Sequence, residues 1–258
     1  RINSASAYAY MEQKFGTWAR IYVSFCYLLT QVMRIGTILY LLGLTLNTFM
    51  GFNLSAVIIL TGLIVAVYSV FGGIQAVVWT DAIQGIILII GAVICLLYIL
   101  LGSDLGAKEI MEIALDDDKF SLGSFGIELS SPTFWVVLDY GLFINLQNFG
   151  IDQNYIQRYL LTDSEKKAKI SALLGGLIYV PVSALFLFIG TALYSYYSNT
   201  GLLPSSIIGS PDKVFPYFIV NVLPQGLTGI LIASIFSAGM STLSTSYNSS
   251  ATVILIDY

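Results

Sequence analysis

The sequence predicts an all-α integral membrane protein, and three observations carry that prediction. Of 258 residues, 57% are hydrophobic and 10% are charged, with a mean hydropathy of +0.83. A soluble domain carries about 25% charged residues, so this chain has too few polar side chains to cover itself in water. Several apolar runs reach the ~20 residues that a helix needs to cross the hydrocarbon core. Their periodicity is helical or continuously apolar, which does not fit the short alternating strands of a membrane barrel.

Six spans are expected along the chain. The first, 17–50, is long and carries Arg20 and Arg34. The second, 54–71, stops at Gly72 and Gly73, and the third covers 75–101. A polar loop over 102–131 follows, with a short amphipathic helix at 107–116. The fourth span, 132–159, is interrupted near Phe149 and Gly150, and the fifth covers 165–197. A loop and a short helix near 212–222 lead to the sixth span, 225–256. The chain starts at Arg1 without a methionine and ends at Tyr258 just after an apolar run, so both ends read as cut.

Charge orients these spans. Arg1, Lys14 and Arg20 lie at the start of the first, and Arg158, Lys166, Lys167 and Lys169 lie between the fourth and fifth. With six crossings both groups fall on one side, which is therefore the cytoplasmic side of the cell inner membrane. The 102–131 loop falls opposite and holds Asp104, Glu109, Glu112, Asp116, Asp117, Asp118 and Glu128. The run Asp116–Asp118 reads as a solvated turn. There is no basic cluster suited to nucleic acid. Histidine is absent, which excludes histidine metal sites and histidine general bases. Cys26 and Cys95 lie inside apolar runs and read as packing residues.

Ionisable and clustered polar groups inside spans are costly, so each is a candidate site. Asp81 lies roughly 9 Å from the start of the third span if helical, with Gln84 on a neighbouring face. It reads either as a cation ligand facing the bundle or as an interfacial carboxylate. In the sixth span Ser241, Ser244, Thr245 and Asn248 follow i, i+3, i+4, i+7 and make one polar face. Neutral hydroxyls with one carboxylate suit a weakly held monovalent ion, by analogy with the oxygen preference of other hard cations. The plainer account is hydroxyls bonding carbonyls at i−4 or gluing helices together. The stretch Asn145–Asn154 packs six polar side chains and a glycine into ten residues. That fits a broken helix whose freed backbone lines a cavity, or else the wet end of a span. Arg34 lies roughly 25 Å into the first span, too deep to snorkel easily, and its planar fork suits a carboxylate on a solute or on the protein.

Several stretches resemble the sodium/solute symporter family: Gly72-Gly73 with Ala76-Val77-Val78-Trp79-Thr80-Asp81, Asn145 through Arg158, and Ala238-Gly239-Met240-Ser241-Thr242-Leu243-Ser244. Ala7 through Gly16 also resembles the family segment ahead of its long tilted helix. The resemblance implies a partial LeuT-type inverted-repeat core, the third through eighth of ten core helices. It makes 1–258 one membrane transport domain, the middle of a longer transporter. It implies sodium-coupled import of a small organic solute by alternating access, with Na+ as the coupling ion, no other cofactor and no enzyme activity. One sodium site would be half present, at the Ala238 carbonyl, Ser241 and Thr242. A second would be complete, at Asp81, Ser241, Ser244 and Thr245. Arg34 resembles the arginine that the bacterial sialic acid branch places near a carboxylated sugar, and Asn145, Gln147 and Asn148 join it as solute contacts. Asn148 stands where some members carry an aromatic gate, a role that Phe143 or Phe149 would then take. The region Gly175–Pro181 lacks the lysine of the sugar-type members, which argues against a galactose-like site.

Three other readings remain open at this stage. A symporter for another sugar or a monocarboxylate would use the same parts. A proton-coupled transporter would let Asp81 carry a proton. A channel would need no paired ion and solute sites. A membrane enzyme would need a nucleophile, base or metal cluster at a membrane face, and the sequence offers none.

Overall fold

The computed structural model describes residues 6–102, 105–205 and 207–258, apart from the side chains of Thr48 and Phe49. Arg1 and Asp104, both counted in the charge reading, lie outside the described residues. Those described form helices α1 (Ala9–Phe15), α2 (Thr17–Met50), α3 (Leu54–Gly102), α4 (Gly106–Asp116), α5 (Phe134–Gly150), α6 (Gln153–Leu160), α7 (Glu165–Thr200), α8 (Val214–Asn221) and α9 (Gln225–Asp257). Four of them, over Thr17–Asn47, Leu54–Gly102, Glu165–Thr200 and Gln225–Asp257, are long and apolar enough to cross a membrane. Burial is inverted relative to a water-soluble protein. Trp18, Phe71 and Leu255 are exposed, whereas Ser24, Gln153, Ser195 and Ser249 are fully buried. In hydrocarbon the apolar surface costs nothing to expose and the polar groups must be satisfied inside. The chain is a multi-pass membrane protein.

Two expected spans meet in one element. The helices foreseen over 54–71 and 75–101 run together as α3, and the backbone leaves helical geometry only at Gly73 (φ 58, ψ −174). A left-handed φ of this kind is open to glycine and strained for any other residue. At 1.5 Å per residue, 49 residues would reach about 74 Å, more than twice the ~30 Å core, so α3 has the length of two crossings. The fourth span divides where polar residues crowd. Helix α5 ends at Gly150, Ile151 leaves the helix, and Asp152 caps α6 by accepting the Asn154 N–H. At 17 residues, or about 26 Å, α5 alone falls short of a full crossing. The expected amphipathic helix is α4, with Ile110 and Ala114 buried and Glu109 accepting from Asn199. Helix α1 was not foreseen; its seven residues stop at Gly16, whose φ of 90 turns the chain into α2.

The chain divides into two compact units. The first takes the described part of Arg1–Gln31 with Phe120–Leu177 and Ser249–Tyr258. Its centre is Tyr8, Tyr27 and Val253 in contact, beside a buried polar knot. The Asp257 carboxylate accepts from Ser6 Oγ (2.8 Å), Ser24 Oγ (2.7 Å) and Arg20 Nε (2.8 Å), and its side chain is wholly buried. Arg20 also reaches Glu12 at 2.6 Å. One residue at the end of α9 thus ties the N-terminal segment to the first turns of α2.

The second unit takes Val32–Lys119 and Ile178–Asn248. Its main core gathers Cys95 and Ile99 of α3, Ile110 of α4, Ile189 and Leu193 of α7, and Phe218 and Ile219 of α8. A smaller core joins Leu42, Val65 and Leu243. Small residues bring the helices close. A Cβ at Gly91 would collide with Ser234, whose hydroxyl donates to the Ile87 carbonyl (3.2 Å), and one at Gly239 would lie 2.5 Å from Leu42 Cδ1.

Two outcomes follow. Removing one partner of a buried ion pair leaves an uncompensated charge, a loss of about 3–5 kcal/mol. Arg20→Ala is therefore expected to lower the thermal midpoint of the full-length protein in detergent far more than Lys108→Ala, which belongs to an exposed i,i+4 pair with Glu112. Glu12 is held below the usual glutamate range, first by the Arg20 hydrogen bond and then by Thr17. A lowered carboxylate contributes stability above its unfolded value and loses it as pH falls through the folded one. Acid melting curves taken below the ordinary glutamate range should show this loss in the parent protein and not in Glu12→Gln.

Candidate functional site

The strongest juxtaposition of candidate residues lies in the second unit, where α3 meets α9. Asp81 Oδ1 accepts from Ser241 Oγ at 2.6 Å, and Oδ2 accepts from Thr245 Oγ1 at 2.8 Å. Ser241 and Thr245 stand one turn apart, so their side chains stack on one face and one carboxylate spans both. Asp81 and Ser241 are half-buried, while Ser244 and Thr245 are buried. The Ser244 hydroxyl donates to the Ser241 carbonyl at 3.0 Å. It therefore bonds back along its own helix with its oxygen beside the pair.

Tyr68 completes the arrangement and was not anticipated. Its hydroxyl donates to the Met240 carbonyl at 3.1 Å and lies against Ser244 and Gln84. In a straight helix residues 68 and 81 would be ~20 Å apart along the axis. They nevertheless reach the consecutive residues Met240 and Ser241, so the bend at Gly73 assembles the site. A lone tyrosine in an apolar run gives no periodic signal, and only the glycine pair that follows it marks the segment.

These groups can offer one carboxylate and several neutral oxygens to a hard monovalent cation. Each hydroxyl now donates its proton, but it keeps lone pairs and rotates freely. A single negative charge suits Na+ better than a divalent ion, which wants more charged oxygens. The half site on the same helix has different geometry. Thr242 is exposed and donates to the Ala238 carbonyl at 3.1 Å, bonding back one turn.

The four expected solute contacts divide between the units. Arg34 belongs to the second, is half-buried, and makes no ion pair or hydrogen bond among the described residues. Asn145, Gln147 and Asn148 belong to the first. Asn145 is exposed and donates to the Gly141 carbonyl at 2.7 Å, Gln147 is exposed, and Asn148 is half-buried. The polar residues just beyond the break behave otherwise. Gln153 Oε1 accepts the Ala7 N–H at 2.8 Å, and Asn154 Oδ1 accepts from Ser249 at 2.6 Å. Both are buried. The stretch read from sequence as either a cavity lining at a broken helix or the wet end of a span therefore divides: Asn145 and Gln147 are exposed and Asn148 is half-buried, while Asp152–Asn154 are buried and structural.

Comparison with known proteins bears on this geometry. The model of the sodium:solute symporter family matches residues 2–258. The sodium/sialic acid symporter SiaT of Proteus mirabilis (strain HI4320) is 35% identical over 251 residues, 96% of this chain and 50% of that protein. NanT, the sodium/sialic acid symporter of Aliivibrio fischeri (strain ATCC 700601 / ES114), is 30% identical over 259 residues, covering 100% of this chain and 51% of its own. Sodium-coupled monocarboxylate transporter 2 of Mus musculus is 31% identical over 263 residues, 100% and 42% respectively. Among solved structures, a Na+-coupled sialic acid symporter in a substrate-bound, outward-open state, described as revealing a novel Na+ site, superposes with a TM-score of 0.92. It shares 35% identity over 98% of this chain and 53% of that one. The chain thus spans about half the length of the curated relatives it matches, and its fold is the expected partial LeuT-type core.

The carboxylate bridge itself is testable without any ligand. Thr245→Val keeps shape but removes a donor from a half-buried carboxylate, a loss of about 1–3 kcal/mol. Asp81→Asn with Thr245→Val should lose less than the sum of the two single variants in thermal melts of the full-length protein. Strictly additive losses would show that the two side chains do not interact.

Proposed function

Because the chain belongs to the sodium:solute symporter family, we propose that it forms part of the transport domain of a sodium-coupled importer working by alternating access. One family model covering residues 2–258 supports treating the chain as a single such domain. The observation that carries the reading is the Asp81 carboxylate held by Ser241 and Thr245 across α3 and α9. A cation entering there takes oxygens from both helices at once, so it orders α9 against α3. If that ordered state binds solute more tightly, solute must favour sodium binding by the same factor.

The proposed sodium ligands are Asp81, Ser241, Ser244 and Thr245, with Ala238, Ser241 and Thr242 supplying one side of a further site. The proposed solute contacts are Arg34, Asn145, Gln147 and Asn148. The solute class is a small organic anion, best matched by a carboxylated sugar such as sialic acid. Two observations favour this class: the guanidinium of Arg34, deep in a membrane span and unpaired among the described residues, and relatives named for sialic acid. A monocarboxylate is the second reading, favoured by the relative named for that solute class. Both carry the carboxylate that a guanidinium fork recognises in two-pronged fashion.

Uptake into proteoliposomes by the full-length protein tests this directly. Sialic acid accumulation should need an inward sodium gradient, and unchanged uptake with potassium in place of sodium would remove the coupling. Asp81→Asn is expected to raise the sodium concentration for half-maximal uptake about tenfold, or ~1.4 kcal/mol, and to lower the Hill coefficient for sodium. Arg34→Lys keeps the charge but loses the fork, so it should raise KM for carboxylated solutes. Lactate competing as well as sialic acid would move the assignment to the monocarboxylate reading.

A further inference from the structure

We propose that a rung of buried polar side chains inside the first compact unit is an internal water site, where one or more water molecules bridge α2, α6 and α9. Five side-chain atoms there are sealed from solvent and meet no hydrogen-bond partner among the described residues: both Gln31 amide atoms, Asn154 Nδ2, Gln157 Oε1 and Ser250 Oγ. Gln31 is 1% exposed, and Asn154 and Gln157 are each 6% exposed.

Register brings these atoms to one level. Helices α2 and α9 pair antiparallel in this unit. Ser24 meets Asp257, and Tyr27 packs with Val253. One turn further, α2 presents Gln31, and α9, read backwards, presents Ser250 and Ser249. Ser249 is already bonded to Asn154 of α6 at 2.6 Å, and Gln157 follows Asn154 on the same face at i+3. Three helices therefore deliver amide and hydroxyl groups to one place.

The partner must be small and must both donate and accept. Among the described residues, no further segment reaches these atoms, which the surrounding side chains already seal. A bare cation would satisfy Gln157 Oε1, Gln31 Oε1 and Ser250 Oγ, but it would repel the N–H groups of Asn154 and Gln31. Water does both, and buried water settles where two to four polar groups converge. Buried polar groups left without partners are rare in native structures, and inside a membrane bundle bulk solvent offers no alternative. The site is separate from Asp81 and stands whether or not the transport reading holds.

Two measurements on the full-length protein decide it. A density map at ~2 Å should show solvent peaks within hydrogen-bond distance of Gln31, Asn154 and Ser250. Side chains paired directly with one another and no such peak would overturn the site. Gln31→Leu supplies a test of opposite signs. If water bridges the rung, the substitution strands Asn154 and Ser250, and the thermal midpoint falls by ~3 °C or more. If Gln31 is simply an unsatisfied buried amide, an apolar isostere relieves it and the midpoint rises. Should Gln31→Leu not accumulate, Gln31→Met carries the same comparison. Short-pulse radiolytic labelling adds a readout that misfolding cannot mimic in the parent protein. Tyr27, 8% exposed and one turn away, should label several-fold faster than Tyr197, which is 7% exposed and lies in the other unit; equal labelling counts against bound water.

Discussion

The candidate ion site depends on one contact, the two-pronged bond between the Asp81 carboxylate and the Ser241 and Thr245 hydroxyls. A carboxylate inside a membrane helix is tolerated only if its charge is met by donors. Meeting it requires a partner helix with hydroxyls one turn apart and a close approach of the two backbones. Ser241 and Thr245 supply the first condition. Small residues supply the second: Gly91 against Ser234 and Gly239 against Leu42 allow α9 to lie within side-chain reach of its neighbours. The bend at Gly73 then returns Tyr68 to the same turn of α9. Glycine, hydroxyl and carboxylate are thus parts of one requirement rather than separate motifs.

Asp257 shows what a purely structural carboxylate looks like in this fold. It accepts from Ser6, Ser24 and Arg20, and its side chain has no exposure. The guanidinium neutralises it permanently, because arginine keeps its proton under all ordinary conditions. Asp81 accepts from two neutral hydroxyls, those of Ser241 and Thr245. A carboxylate already balanced by a guanidinium has little to gain from an arriving cation, whereas hydroxyl donors bring no formal charge of their own. The same helix, α9, serves both carboxylates, with hydroxyl donors at Asp81 and an arginine among the donors at Asp257.

Much of this was legible in the residues. Apolar length and scarcity of charge marked the helices, the glycine pair marked the bend in α3, and the spacing of Ser241, Ser244 and Thr245 marked the polar face. Asp81 stood out as an ionisable group inside an expected span. Asp257 carried the same signal at the end of an apolar run and went unread, since its partners Ser6 and Arg20 lie more than 230 residues away in sequence. Contacts of that separation leave no trace in local periodicity. The polar stretch Asn145–Asn154 was legible as a break but not as a division of roles. Composition cannot distinguish an amide pointing outward, as in Asn145, from one satisfied by a distant serine, as in Asn154.

Under the proposed transport reading, that division bears on how a solute would be held. Asn145 and Gln147 are exposed, and Asn145 donates to the Gly141 carbonyl one turn back, a local bond that a polar solute group could replace under the proposed reading. The buried half is fixed by Ala7 and Ser249. A helix broken at Ile151 therefore has one end anchored and one end able to trade partners. Coupling free energies of about 1–3 kcal/mol are usual between linked sites, no more than one or two hydrogen bonds to charged groups. Under the proposed reading, exchange of one or two such bonds would be enough for coupling of that size.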